Sequence, residues 1–251
     1  MQVRFKRFFS TDNPKAIKAE GYGYLNAINY MSPHTLGGVG DLCSHASKGC
    51  IFVCLGDHAG QAAISDKVKD SRKRKAQYFM LERAAFMAEA VYHIRKLIIL
   101  ASASGLKLAI RMNGSTDIAF EGLALEIDGV RYRNIFEAFP NVQFMDYTKN
   151  PARMNRKLPA NYHLTFSRSE KNDKIAFDLL KAGKNVAVVM DHSIDRTSLL
   201  PLATIVDGDK HDLRFLDPVG SLVVLTPKGN RAKKDTSGFV IRASHQTQLA
   251  A

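Results

Sequence analysis

From residue 107 onward the chain alternates short apolar runs with longer mixed segments. The runs are KLAIRM (107–112), VQFMDY (142–147), YHLTFS (162–167), NVAVVM (185–190), ATIV (203–206) and SLVVLT (221–226). Each has strand length, and the earlier ones are separated by stretches long enough for a helix or an irregular crossover, such as 151–158 and 172–182. That alternation is what parallel βαβ units produce. A first strand, or the approach to one, is predicted at 24–31 (YLNAINYM), followed by the Pro/Gly loop SPHTLGGVG. Between that loop and the alternating half, apolar positions such as Phe79, Ala84, Phe86, Ala90 and Ile94 recur at helical spacing, which predicts helix over 62–103. Ser104-Gly105 suits its end, because glycine adopts the left-handed turn that closes a helix.

Several of the runs end in polar clusters: NGSTD (113–117), TKN (148–150), SRSE (167–170) and DHS (191–193). In parallel sheets, open or closed into barrels, ligands sit at the C-terminal ends of the strands. One polar cluster reads equally well as an ordinary turn. Four in succession put the candidate site at those ends.

Composition narrows the class. With 251 residues and 45% hydrophobic content, the chain can build a substantial core without disulfide staples. The basic start, MQVRFKRFFSTDNPK, is followed by no apolar run, which argues against a secretory signal. The longest apolar stretch, 97–110, is broken by Ser102, Ser104, Gly105 and Lys107 and is too short to span a bilayer. We therefore expect a cytoplasmic protein with no membrane partner. Its organisation reads as an N-terminal extension (1–23), an α/β unit (24–215), and C-terminal strands with a polar tail (216–251).

A formal net charge of +12 favours polyanionic partners, with binding that weakens steeply as salt rises. The densest basic stretch, KVKDSRKRK, carries Lys67, Lys69, Arg72, Lys73, Arg74 and Lys75. On a helix these cannot share one face. A solvated helix start competes with the functional reading, a phosphate-contacting element beside the candidate site. Two further basic groups are Lys149, Arg153, Arg156 and Lys157, and Lys228, Arg231, Lys233 and Lys234. Such contacts would give affinity without base specificity. The acidic phrase DGDKHD (207–212) does not complete a calcium loop and reads as a tight turn between strands, with Asp207 or Asp212 as a remote magnesium-ligand option. No Gly-rich phosphate loop, nucleophile elbow or HExxH phrase occurs, so P-loop, hydrolase and zincin chemistry are not proposed.

All three cysteines, Cys43, Cys50 and Cys54, lie in one short segment, CSHASKGCIFVC. Their odd number and a reducing compartment disfavour disulfides, which leaves small buried apolar residues or metal ligands. If residues 50–54 form a helical turn, Cys50 and Cys54 share a face and Cys43 returns from the preceding loop. Gly49 would let backbone approach a bulky group. Structural zinc takes four ligands, so His45 or His58 would have to join. A cubane cluster needs only three thiolates and leaves one iron open. Three thiols favour the cluster, and His45 keeps zinc as the alternative.

Longer phrases now add a resemblance. YLNAINYMSPHTL, the spaced cysteines, RMNGSTDIAFE (111–121), FMDYTKNPARM (144–154), LPANYHLTFSRSE (158–170) and DGDKHDLRFLDP (207–218) resemble a bacteriophage family named after a mycobacteriophage gene product, number eighty-eight. More distantly, the cysteine loop after the first strand and the phrase TKNPARM…LP are similar to radical S-adenosylmethionine proteins. That resemblance implies a partial (β/α) barrel of mostly parallel strands with a C-terminal strand extension. It also implies a [4Fe–4S] cluster on Cys43, Cys50 and Cys54, with S-adenosylmethionine chelated by the open iron. Asn113, Ser115 and Asp117 would stand near the methionyl amino group, and Thr148, Lys149, Ser167 and Arg168 would face the same cavity. The chain departs from that superfamily in cysteine spacing, six and then three intervening residues instead of three and then two. It also has NGSTD where a Gly-Gly-Glu phrase would stand. Two functions are carried forward: a radical enzyme acting on nucleic acid or a nucleotide-derived substrate in the host bacterial cytoplasm, and a non-catalytic factor binding nucleic acid or a host protein, its metal structural.

Overall fold

The computed structural model describes residues 3–192, 194 and 203–243. Helix α1 (Pro14–Lys18) starts where Asn13 accepts from the N–H groups of Lys15 and Ala16. Gly23, at φ 80°, then turns the chain into β1 (Tyr24–Ile28). The cysteine segment follows and contains α2 (Lys48–Phe52); α3 (Gln61–Ile64), α4 (Asp66–Leu81) and α5 (Arg83–Ala103) complete the first crossover. The helix predicted over 62–103 is thus present but broken, because Glu82 adopts a non-helical backbone (φ −135°, ψ 51°) between α4 and α5.

The remaining elements are β2 (Lys107–Arg111), β3 (Leu125–Ile127), β4 (Val130–Tyr132), α6 (Ile135–Ala138), β5 (Gln143–Thr148) and α7 (Pro151–Met154). They are followed by β6 (Tyr162–Ser167), α8 (Asp173–Lys181), β7 (Val186–Met190), β8 (Thr204–Asp207), β9 (Ser221–Leu225), α9 (Gly229–Lys233) and β10 (Val240–Ile241). Every apolar run singled out in the sequence becomes a strand. The β3–β4 hairpin was not predicted, although Asp128-Gly129, at φ 51° and 80°, is the two-residue turn that matches strand twist. The polar tail after Arg242 falls mostly outside the described residues, as does Ser193 of the DHS cluster.

The principal sheet has eight strands, in the order β1-β2-β5-β6-β7-β9-β8, with β10 added to the end of β7, and every neighbouring pair runs parallel. It is an open sheet; β1 and β8 end it, and no closed barrel forms among the described residues. Residues on both sides of position 215 contribute strands to it. Because successive strands β1, β2, β5, β6 and β7 lie side by side, right-handed crossovers put their helices on one face. There Phe86 and Ile94 of α5 and Leu179 of α8 pack with Ile110, Phe144, Leu164, Phe166 and Val188. Each large apolar side chain fully buried in this way contributes on the order of 1.5–3 kcal/mol. The opposite face is covered by the 208–217 segment and the N-terminal turn, through Leu213 against Ala19, Ala109 and Met145. Strand alternation divides the two faces: Phe144, Leu164 and Phe166 go to the helices, while Met145, Tyr147, His163 and Thr165 go to the other side.

Two expectations need correction. Strands β8 and β9 are parallel, so DGDKHD cannot be a tight turn between them and instead starts a long crossover. Its acids are engaged: Asp209 accepts from Thr226 and pairs with Lys15 and Lys228, and Asp212 pairs with Arg111 at 3.2 Å. The basic stretch is also less open than its sequence suggests. Lys67, Lys73 and Arg74 are exposed, and Lys69 is half-buried. Arg72 donates to the Gly56 carbonyl, and Lys75, 5% exposed, donates to the Phe8 carbonyl at 2.6 Å.

Candidate cofactor site at the strand ends

Ser47 begins α2 by accepting from the Cys50 N–H, and the helix stops at Phe52. Cys54 therefore lies beyond the helix rather than one turn along it, and the expected helical turn over 50–54 is not formed. Its carbonyl instead accepts from the N–H groups of Asp57 and His58. Cys43 sits ahead of α2, its N–H held by Asp41, and its thiol reaches the Ser115 carbonyl at 3.7 Å. All three thiols are free and half-buried. They feel one another: charge on Cys54 or Cys50 would push the Cys43 thiol up, and charge on Cys50 would push up that of Cys54. Burial is the larger cause and raises Cys43 to about 12 and Cys54 to about 11. Cys50 is raised by burial too, opposed by the Lys149 ammonium.

A carboxylate that no sequence motif marks fastens this loop. Glu170, at the end of the SRSE cluster, accepts from the Gly49 N–H at 2.8 Å and from the Ser47 hydroxyl at 2.7 Å. The close approach is the reason for Gly49. A Cβ there would meet Ser237 Oγ first and would lie 2.7 Å from Glu170 Oε2, so the small residue makes room for protein rather than for a foreign group. The loop after β1 is thereby tied to the loop after β6.

The polar residues predicted at the strand ends divide by what they do. Asn113, 2% exposed, is consumed by its own loop: it donates to Asp146 and Ile118 and accepts from Thr116 and Ile118. Thr148 is buried and accepts from the Asn150 N–H. Arg168 holds Asp173 and the carbonyls of Gly238 and Phe239, which seats β10. Ser115 donates to the Met31 carbonyl at 2.6 Å while its own carbonyl faces Cys43. Asp117 accepts from the Lys149 N–H and from Arg153. Lys149 spans the gap, its ammonium 2.7 Å from Ser167 Oγ and over the Phe239 ring; burial lowers its pKa and Cys50 and Asp117 raise it. Ser115, Asp117, Lys149 and Glu170 thus act on the thiols, Ser167 reaches them through Lys149, and Asn113, Thr148 and Arg168 are taken up by their own loops.

The three sulfurs lie in one segment and none is crosslinked. The arrangement is open, however. Among the described residues no group of three or more His, Cys, Asp or Glu side chains is disposed as a metal-holding set. The histidines that zinc would need are elsewhere: His45 is exposed beside Ser44, and His58 Nε2 is engaged by Arg231 at 2.7 Å and by Asp57. Among the described residues no helix is long and apolar enough to cross a membrane.

A family model described as Gene product 88 matches residues 6–243 of the chain. No curated protein and no solved structure matches it.

Proposed function

The chain belongs to the Gene product 88 family, and on that footing we propose that it is a phage iron–sulfur protein of the radical S-adenosylmethionine kind, acting on nucleic acid or a nucleotide-derived substrate. The observation that carries the reading is the set of three free thiols, with Cys50 and Cys54 acting on Cys43 and Cys50 on Cys54, on the loop after the first strand of an all-parallel sheet. Cys43, Cys50 and Cys54 would hold the [4Fe–4S] cluster as thiolates. When bound, the cluster supplies an electron to a sulfonium ligand of its open iron. The chain's own residues keep the thiol loop in place through Glu170 and set a cation, Lys149, beside Cys50. That cation offsets thiolate charge, and its bond to Ser167 fixes its direction. A partial-barrel curvature of the sheet belongs to the same proposal, as does the host cytoplasm as the place of action.

A second reading is favoured by the open disposition of the thiols and by the absence of a Gly-Gly-Glu phrase: a non-catalytic factor for nucleic acid or a host protein, with zinc or a cluster only bracing the loop. Metal and sulfide analysis of protein purified without oxygen separates the two. About four irons with matching sulfide per chain, and a cluster spectrum altered by S-adenosylmethionine, support the enzyme. One zinc and no sulfide would support the factor. Metal-free protein with unchanged melting in Cys50→Ala would remove both.

A further inference from the structure

Nearly all buried polar atoms in proteins are hydrogen-bonded, so a group of exceptions on one sheet face calls for a partner. On the face away from the helices, Arg111 Nε, Tyr147 Oη, His163 Nε2, Thr165 Oγ1 and Arg214 Nε are buried without a protein partner. The sheet register brings them together. Tyr147 lies beside Thr165, and Met145 beside His163, on β5 and β6. The Arg111 guanidinium lies 4.9 Å from the centre of the Tyr147 ring. Arg214 reaches the same place from the 208–217 crossover, where its charge acts on both Tyr147 and His163. Nη2 donates to the His211 carbonyl at 2.6 Å, while Nη1 stands 3.2 Å from Asp217 Oδ2 as an ion pair without a formed hydrogen bond. Thr165 is 0% exposed and Arg214 1%.

The two arginine Nε–H groups can only donate; the two hydroxyls can donate as well as accept, and a neutral imidazole can present its N–H at Nε2. Two carboxylates flank the set, Asp212 on Arg111 and Asp217 beside Arg214, and Asp217 Oδ2 is itself without a hydrogen-bond partner. We propose that this set binds an oxyanion, the carboxylate or phosphoryl group of a small molecule. It rests on these orphaned donors and requires no metal at the thiols. Thr165 precedes Ser167 by two residues, about 7 Å along the strand, and Ser167 receives the Lys149 ammonium.

The test is a calorimetric titration of the full chain with methyl phosphate and with acetate, ionic strength held constant with chloride. Saturable one-site binding is expected, and the tighter ligand names the source of the anion. The paired substitutions Thr165→Val and Tyr147→Phe keep side-chain shape and remove two donors. They should weaken binding at least tenfold, about 1.4 kcal/mol, while Lys174→Glu on the exposed face of α8 leaves it unchanged. Cys50→Ala should also retain the affinity, which separates this site from the iron–sulfur proposal. Absence of saturation, or equal affinity in the Val/Phe variant, would mean that ordered water occupies these donors and would overturn the inference.

Discussion

Lys75 shows how little a basic residue's place in the sequence says about its surroundings. It stands in the densest run of positive charge, yet it is buried over the Phe5 and Phe8 rings with the Phe8 carbonyl as its acceptor. Burial, with some help from Arg72, lowers its pKa to about 7. The unfolded chain holds this proton up to about pH 10.4, so between pH 7 and that value the unfolded state binds more protons and stability rises with pH. Lys75→Met should therefore be more stable relative to the parent at pH 7 than at pH 9.5. The difference, read from urea unfolding at both pH values, should approach a few kcal/mol at most; a pH-independent difference would refute the assignment. Glu170 makes the complementary point. Its role could not be read from SRSE, because the Gly49 N–H that it holds lies 121 residues away. Gly49 was legible as a position of close approach, but the approaching group was not.

At the level of elements, apolar runs announced the strands because both faces of this sheet are covered, one by helices and one by the 208–217 crossover. YHLTFS matches β6 residue for residue. The β3–β4 hairpin escaped because each strand is three residues long, even though its Asp-Gly turn is explicit. The corner after β5 depends on Arg153, which the sequence offered only as surface charge. It is 1% exposed and bonds Glu121 at 2.7 Å, Asp117 at 2.6 Å and the Tyr162 hydroxyl at 2.8 Å. Arg153→Met would strand two carboxylates and should cost about 3–5 kcal/mol, by analogy with other broken buried pairs. The midpoint of urea unfolding measures this, and a change below about 1 kcal/mol would show that water replaces the guanidinium. Because Asp117 also holds the Lys149 N–H, the variant should loosen the site as well as the fold.

Across the whole molecule, the charge of +12 is an average that folding redistributes. Of the α4 cations, Lys67, Lys73 and Arg74 point to solvent. Replacing these three with Glu should lower the salt at which the protein leaves a heparin column, and should reduce the salt slope of DNA binding by about 0.9 for each phosphate no longer neutralised. The same exchange at Lys171, Lys174 and Lys181 is the control; an equal effect there would mean diffuse attraction instead of an interface on α4. The tie between Glu170 and α2 also sets an order in time. A nascent chain emerges N-terminus first, so the cysteine segment leaves the ribosome well before the residue that pins it. Until β6 and the loop carrying Glu170 have been made and have found their neighbours, the three thiols hang on an unfastened loop. During synthesis the segment is therefore a flexible one, and only the completed sheet fixes its course.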